Sequence, residues 1–171
     1  MNGNAARPSD FDALIGLGSN VGDKAANIAR AVELLTAPGD IRLLRSSKLY
    51  RTAPWGVLDQ DWFVNACIAI ATALPPHELL ARCLGVEDTM QRVRERRWGP
   101  RVIDLDVLVY RDVAMNEHDL ILPHPRIQER GFVLVPMRDV APDIKIAGEP
   151  VANWLARVDA RDVVPFERES Q

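Results

Sequence analysis

The sequence predicts an α+β fold: a ferredoxin-like βαββαβ sandwich, with an antiparallel sheet carrying both helices on one face, followed by short C-terminal helices. Three observations carry this. Strand and helix signals alternate as β-α-β-β-α-β over the first two-thirds of the chain. The second and third strand signals have no helix between them, which disfavours a doubly wound parallel sheet. The 171 residues, 47% apolar and 26% charged, suit one core of ordinary composition rather than two. Residues 11–165 are expected to form a single catalytic domain, with 1–10 a disordered tail and 166–171 a C-terminal tail.

Each element has its own signal. "FDALIGLG" is an apolar run ending in glycines, a buried strand. In "DKAANIARAVELLTAPG", Ile28, Val32 and Leu35 fall at helical spacing, Asp23 is a candidate N-cap and Pro38-Gly39 a stop. "IRLLRSSKLY" and "FVNACIAIATA" are β-rich runs separated by the loop "RTAPWGVLDQDW". Pro75 and Pro76 open a second helix, "HELLARCLGVEDTMQRV". An arginine-rich loop follows, then "VIDLDVLVY" as a central strand, with Arg111-Asp112 turning a short hairpin into "VAM". Short helices are expected at 132–140 and 151–158. The sheet face opposite the two helices is then free to carry a site. "GLGSNVGDK" resembles a phosphate loop but lacks its spacing, and reads as a tight strand-to-helix turn whose backbone can line a site.

Charge and cysteine usage exclude some partners. A net charge of −3 disfavours nucleic-acid binding through bulk charge. Lys24, Lys48 and Lys145 are the only lysines among 21 basic residues, the rest being arginines, whose planar forks suit phosphate. Cys67 and Cys83 have no metal or redox spacing and read as strand core and helix core, which points to a reducing, cytoplasmic setting. No apolar run reaches membrane-spanning length, and the polar start is not a signal peptide. A monomer without membrane or nucleic-acid partners is expected.

The chemistry gathers in "RVRERRWGPRVIDLDVLVY" (92–110). Strand alternation puts Asp104, Asp106, Leu108 and Tyr110 on one side, and Ile103, Leu105, Val107 and Val109 on the other. The two carboxylates then point the same way, roughly 7 Å apart at Cα. Two like charges in an apolar strand need a compensating cation, and a hard ion such as Mg²⁺ takes oxygen ligands together with substrate phosphates. Arg92, Arg94, Arg96, Arg97 and Arg101, taken alone, describe a solvated loop. Beside the aspartates they suit polyphosphate oxygens, with Trp98 on a Gly/Pro-hinged loop able to close over a ring. Glu87 falls on the apolar stripe of the second helix, where it pairs with the arginine loop or with a ligand hydroxyl. Phe63 and Asn65 share a strand face and Phe132 follows a Pro/His loop, so two rings and an amide can take a flat heterocycle. His124, with Arg126 and Arg130 in its segment, forms a second phosphate-facing cluster. Mg²⁺ and a nucleotide polyphosphate follow from the residues alone.

At "IGLGSN", "SSKLYRTAPWG", "DWFVNA", "RWGPRVIDLDVL", "LPHPRIQERGFVLVP" and "APD", in family order over residues 13–143, the chain resembles the 6-hydroxymethyl-7,8-dihydropterin pyrophosphokinases of folate biosynthesis. The resemblance implies a ferredoxin-like fold and transfer of pyrophosphate from ATP to the pterin hydroxymethyl group, releasing AMP. It implies that Asp104 and Asp106 hold two Mg²⁺ ions, and that Arg92 and Arg101 act with them in catalysis. Glu87, Arg92, Arg94, Trp98, Arg101, His124 and Arg130 are implied as ATP contacts. Thr52, Pro54, Trp55, Phe63, Asn65 and Phe132 are implied as pterin contacts, the two phenylalanines as a sandwich. Phe63 stands where tyrosine is common and Trp55 where a smaller apolar residue is common. Asp119 and Ile121 fall where some members contact the nucleotide. A palm-type metal-dependent nucleotidyltransferase and a non-catalytic RNA-binding module share the topology. The first wants a basic nucleic-acid surface, and the second wants exposed sheet aromatics without an acid pair.

Overall fold

A computed structural model describes residues 10–53, 61–90 and 101–167. The candidates Pro54, Trp55, Arg92, Arg94, Arg96, Arg97 and Trp98 lie outside the described residues, as do 1–9 and 168–171. Strand β1 (Ala13–Ser19) leads into α1 (Lys24–Thr36), and Asp23 caps that helix as expected, its side chain accepting the Ala26 N–H at 3.1 Å. Then come β2 (Ile41–Ser46), β3 (Tyr50–Thr52), β4 (Phe63–Thr72), α2 (Pro76–Thr89) and β5 (Asp104–Tyr110). β4 pairs with β1 on one side and with β2 and β3 on the other, and β1 pairs onward with β5, every pair antiparallel. This is the ferredoxin-like order. The single expected second strand is broken into β2 and β3 at Ser47, whose hydroxyl accepts the Cys67 N–H at 2.9 Å while its own N–H donates to the Cys67 carbonyl.

After β5 the chain adds β6 (Met115–Asn116), β7 (Ile121–Leu122), α3 (Gly131–Val140), β8 (Lys145–Ile146), β9 (Glu149–Pro150), α4 (Val151–Leu155) and β10 (Val164–Pro165). The short C-terminal helices are therefore present. β10 extends the sheet beyond β3, and β6 and β8 form small hairpins with β7 and β9. Among the described residues no helix is long and apolar enough to cross a membrane.

Several expectations are corrected. β5 is an edge strand and not a central one. Its apolar run arises because other elements cover its outer edge: the Leu105 N–H donates to Glu87 of α2 at 2.8 Å, and the His124 N–H donates to the Leu108 carbonyl at 2.8 Å. "VAM" does not fold back on β5, since Met115 pairs instead with Leu122. α2 stops at Thr89, where the Thr89 hydroxyl turns back to the Gly85 carbonyl and Met90 leaves helical geometry, short of the expected Val93. Strict alternation also fails at the end of β5. A register shift opposite Leu14 and Ile15 turns Val109 to the face it shares with Leu108, and sends Tyr110 to the α1/α2 face. There the Tyr110 hydroxyl donates to the Leu74 carbonyl at 2.6 Å.

The sheet has a core on each face. Ala13, Ile15, Leu17, Ile68, Leu105 and Val107 meet Ile28, Leu35, Leu79 and Cys83 of the two long helices. The opposite face is not left free, as the bare βαββαβ pattern suggests. Leu14, Cys67, Ala69 and Leu108 pack against Leu134, Met137 and Val140 of α3, with Val151 of α4. α3 covers one end of that face and leaves the other open.

Asp139 pins α3 to the sheet, accepting from the Tyr50 hydroxyl at 2.6 Å and the Lys48 N–H at 3.1 Å. Burial, reinforced by this carboxylate, pushes the Tyr50 hydroxyl up to about 12. Tyr50→Phe should lower unfolding stability by about 1 kcal/mol, and Asp139→Ala by more, because it also strips the Lys48 N–H. In a double-mutant cycle read by urea denaturation, the combined variant should lose less than the sum of the single losses.

Candidate active site

The open end of the second face is a cleft partly open to solvent. Its floor follows from strand register. On β1, Gly16 and Gly18 face this side; Gly16 lies opposite Cys67 on β4 and Asp106 on β5, and Gly18 opposite Asn65 and Asp104. Two acids and one amide therefore stand on strands either side of a strand with no side chains between them. The glycines are strand residues, as the run "FDALIGLG" suggests, and the strand-to-helix turn begins only after Ser19 and uses Gly22 at φ +68°. Space at Gly18 is tight: a Cβ there would sit 2.9 Å from the Asn65 Oδ1. Their position was readable as two glycines two residues apart inside a β run, which marks a close backbone approach.

One wall carries charge. Asp104 and Asp106 line the cleft on the same face, as alternation requires. Burial, then the neighbouring Asp104 carboxylate, raises the Asp106 carboxyl to about 7, against the pull of Arg130 and Arg101. Arg101 reaches Asp104 at 3.4 Å. Arg130 is buried in the same wall, its guanidinium 5.6 Å from the Phe132 ring centroid. His124 sits in the field of Arg130 and Asp104 without lining the cleft directly; burial first, then the Arg130 and Arg126 cations, lower its pKa. Its Nδ1 accepts the Arg126 N–H at 3.2 Å, so the neutral ring carries its proton on Nε2 and is a donor.

The other wall is aromatic and neutral. Phe63, Asn65, Thr52 and Phe132 line it together. Asn65 and Thr52 are buried, and the Asn65 amide donates to the Thr52 Oγ1 at 2.7 Å, which turns its oxygen toward the Gly18 gap. The remaining Thr52 hydroxyl proton and the Asn65 oxygen make a donor–acceptor pair beside two rings.

Glu87 is placed differently from the other candidates. It is buried at α2 and does not line the cleft; its Oε1 caps the outward Leu105 N–H, between the two aspartates in sequence. The structure thus gives it a backbone of β5 to hold. His77, Glu117 and Asp119 also gather, from α2 and the β6–β7 turn. The two ring nitrogens of His77 face different carboxylates, at 2.6 Å and 3.7 Å, so the three groups staple those elements together.

A cleft with a paired-carboxylate and arginine wall facing an aromatic amide wall, on a ferredoxin-like sheet, defines a phosphoryl-transfer enzyme of the α+β class. The profile of the 7,8-dihydro-6-hydroxymethylpterin-pyrophosphokinase (HPPK) family matches residues 14–142, and the chain belongs to that family. The chain is 56% identical to the 2-amino-4-hydroxy-6-hydroxymethyldihydropteridine pyrophosphokinase of Methylorubrum extorquens, over 91% of this chain and 98% of that one. It is 40% identical to the Bacillus subtilis protein of the same name, over 78% and 80%. It is 42% identical to a mitochondrial folate synthesis bifunctional protein of Pisum sativum, over 85% of this chain and 28% of that one. Its fold matches the crystal structure of an HPPK-DHPS in complex with substrates at a TM-score of 0.69 and 13% identity, over 86% of this chain and 43% of that one. Pyrophosphoryl transfer in folate biosynthesis is the activity this membership carries, and the nucleotidyltransferase and RNA-binding alternatives have no support.

Glu87→Leu should cost about 1–3 kcal/mol in unfolding stability, since the Leu105 N–H loses its acceptor, while Glu87→Gln keeps a carbonyl oxygen there and should cost less. Guanidinium denaturation of the two variants measures the difference.

Proposed function

We propose that ATP supplies the pyrophosphoryl group and that the two walls divide the substrates, 6-hydroxymethyl-7,8-dihydropterin at the aromatic wall and the triphosphate at the charged one. The observation that supports this reading is the register that brings Asp104 and Asp106 to one side of Gly16 and Gly18 and Asn65 to the other. Phe63 and Phe132 stack on the pterin ring, and Asn65 and Thr52 read its edge. Gly18 keeps the floor low enough for the ring to meet the Asn65 oxygen.

Asp104 and Asp106 are the residues to hold two Mg²⁺ ions. The donor set fits: hard oxygen ligands on one face, one of them held toward its protonated form by burial and then by the other's charge, a cost that a cation relieves. Bound there, the ions supply charge neutralisation to the attacking and leaving oxygens. Arg101 and Arg130 steady the phosphate oxygens, and Arg92, Arg94 and Trp98, outside the described residues, join them on the same reading. His124 donates from Nε2 to the nucleotide without adding charge. The pterin hydroxyl, aligned by the aromatic wall, forms the new bond to the β-phosphorus and gives up its proton to solvent, while the bond from that phosphorus to the α–β bridging oxygen breaks, so AMP leaves. Alignment and charge stabilisation suffice for such a displacement, without a covalent nucleophile. A cytoplasmic location belongs to the same proposal, supported by two buried free thiols, Cys67 and Cys83.

Incubation with Mg·ATP and the pterin should yield AMP and pterin diphosphate in equal amounts; ADP as the stoichiometric product would sink the reading. Asp104→Asn and Asp106→Asn should each lower kcat about 100-fold or more with the fold retained, by analogy with the loss of a transition-state charge stabiliser. Gly18→Ala should weaken pterin binding about tenfold, through its clash with Asn65, and leave ATP binding nearly unchanged, as calorimetry would show.

Mg²⁺ binding should also depend on pH. The Asp106 carboxyl is raised to about 7, so a proton must leave before the group accepts a cation, and apparent Mg²⁺ affinity should fall as pH drops through that value. Calorimetric titration in buffers of different ionisation enthalpy should show proton release below it and little above it. Equal affinity on both sides would refute the shared-carboxylate site.

A further inference from the structure

The β1–α1 turn joins the two walls through a single side chain. Asn20, 3% exposed, sits at the start of that turn. Its Oδ1 accepts the Arg101 N–H at 2.7 Å and its Nδ2 donates to the Asp61 carbonyl at 3.2 Å. Its own backbone N–H donates to the Arg101 carbonyl at 3.0 Å, so Arg101 is gripped at both peptide groups. Asp61 lies two residues before Phe63 and Arg101 three before Asp104. The oxygen of one amide thus holds the root of the charged wall, and its nitrogen holds the root of the aromatic wall.

The surroundings make this hub stiff. The Asp61 carboxylate takes an ion pair from the buried Lys24 at 2.9 Å, and that ammonium lies 3.4 Å from the Trp62 ring centroid. On the other flank the Asn27 amide donates to the Ser19 Oγ and to the Val21 carbonyl, at 3.2 Å and 2.8 Å. An amide is suited to the task because it offers an acceptor and a donor in one rigid plane; a carboxylate offers no donor and an alkyl group neither.

We infer that Asn20 is a positioning residue that couples the two substrate subsites: ordering of Asp61 and Phe63 by the pterin is passed through the Asn20 amide to the backbone of Arg101, and in the reverse direction when nucleotide binds. This rests on the division of the cleft proposed above. Asn20 does not line the cleft; it acts by fixing where Arg101 stands relative to Asp104, 3.4 Å away from its guanidinium. Such coupling is reciprocal, so each ligand tightens the other by the same factor.

The test measures that factor by calorimetry, as pterin affinity with and without a non-hydrolysable ATP analogue. In Asn20→Ala the mutual tightening should fall about fivefold or more, while each ligand alone binds within about threefold of wild type. Under saturating substrates kcat should fall and KM change little. Asn20→Asp keeps an oxygen for the Arg101 N–H but loses the donor to the Asp61 carbonyl. It should lose the tightening as fully as alanine does, yet keep slow hydrogen exchange at the Arg101 amide. In the unaltered protein, pterin alone should further slow exchange at the Arg101 amide, a readout that needs no variant. Full tightening retained in either folded variant, or Arg101 exchange indifferent to pterin in the wild type, overturns the inference. Wild-type AMP formation is run beside these measurements: if it fails, the division of the cleft fails with it, whereas if it succeeds and the tightening survives in the variants, only the role of Asn20 falls.

Discussion

At Gly16 and Gly18 the strand beneath the cleft has no side chains, and the geometry around it depends on that gap. β1 is paired on both edges, so its residues stand level with Asn65 and Cys67 on one side and Asp104 and Asp106 on the other. Larger residues there would fill the space over which the two walls face each other; even one methyl group at Gly18 would crowd the Asn65 oxygen. A sheet normally loses stability from glycine in a paired strand. Here the loss is offset by burial on the opposite face of the same strand, where Ala13, Ile15 and Leu17 pack against both long helices.

The second consequence concerns where the charge can be tolerated. Burial, and then the neighbouring Asp104 carboxylate on the same strand face, raises the Asp106 carboxyl. The edge position of β5 makes the arrangement workable. On its outer edge the Leu105 N–H is taken by Glu87 and the Leu108 carbonyl by the His124 N–H, while its acids face the cleft. Glu87 thus acts on the charged wall from behind it. α3 completes the division of labour, closing the far end of the face over Leu14 and Leu108 and delivering Phe132 and Arg130 near its own start.

Family membership and fold agree at different depths. The 56% identity over nearly the whole of a named pyrophosphokinase assigns the family. The likeness to the HPPK-DHPS structures, at 13% identity, speaks for the fold alone, and this chain spans 43% of the first of them. The pea relative is longer still, this chain covering 28% of it. What this chain's own geometry adds is the pairing of walls across β1 and the link between them at Asn20.

Much of this was legible in the residues, for a local reason. Period-two alternation is a property of a single strand, so Asp104 with Asp106, and Phe63 with Asn65, could be put on common faces from sequence. Helix caps and stops are equally local, and Asp23 and Pro38-Gly39 behaved as read. Whether β5 lay at the centre or the edge, how its last residues turned at the register shift, and which strand opposed the glycines were decided by pairing between residues as far apart as Ala13 and Tyr110, about which composition is silent. Glu87 shows the boundary most clearly. Its place on an apolar helical stripe marked it as a buried acid, but only the packing of α2 beside an exposed strand edge decided that its partner would be a backbone N–H. Asn20 likewise gave no local signal beyond a polar residue after a strand. Its role exists only because the tertiary fold brings Asp61 and Arg101 to opposite ends of one amide.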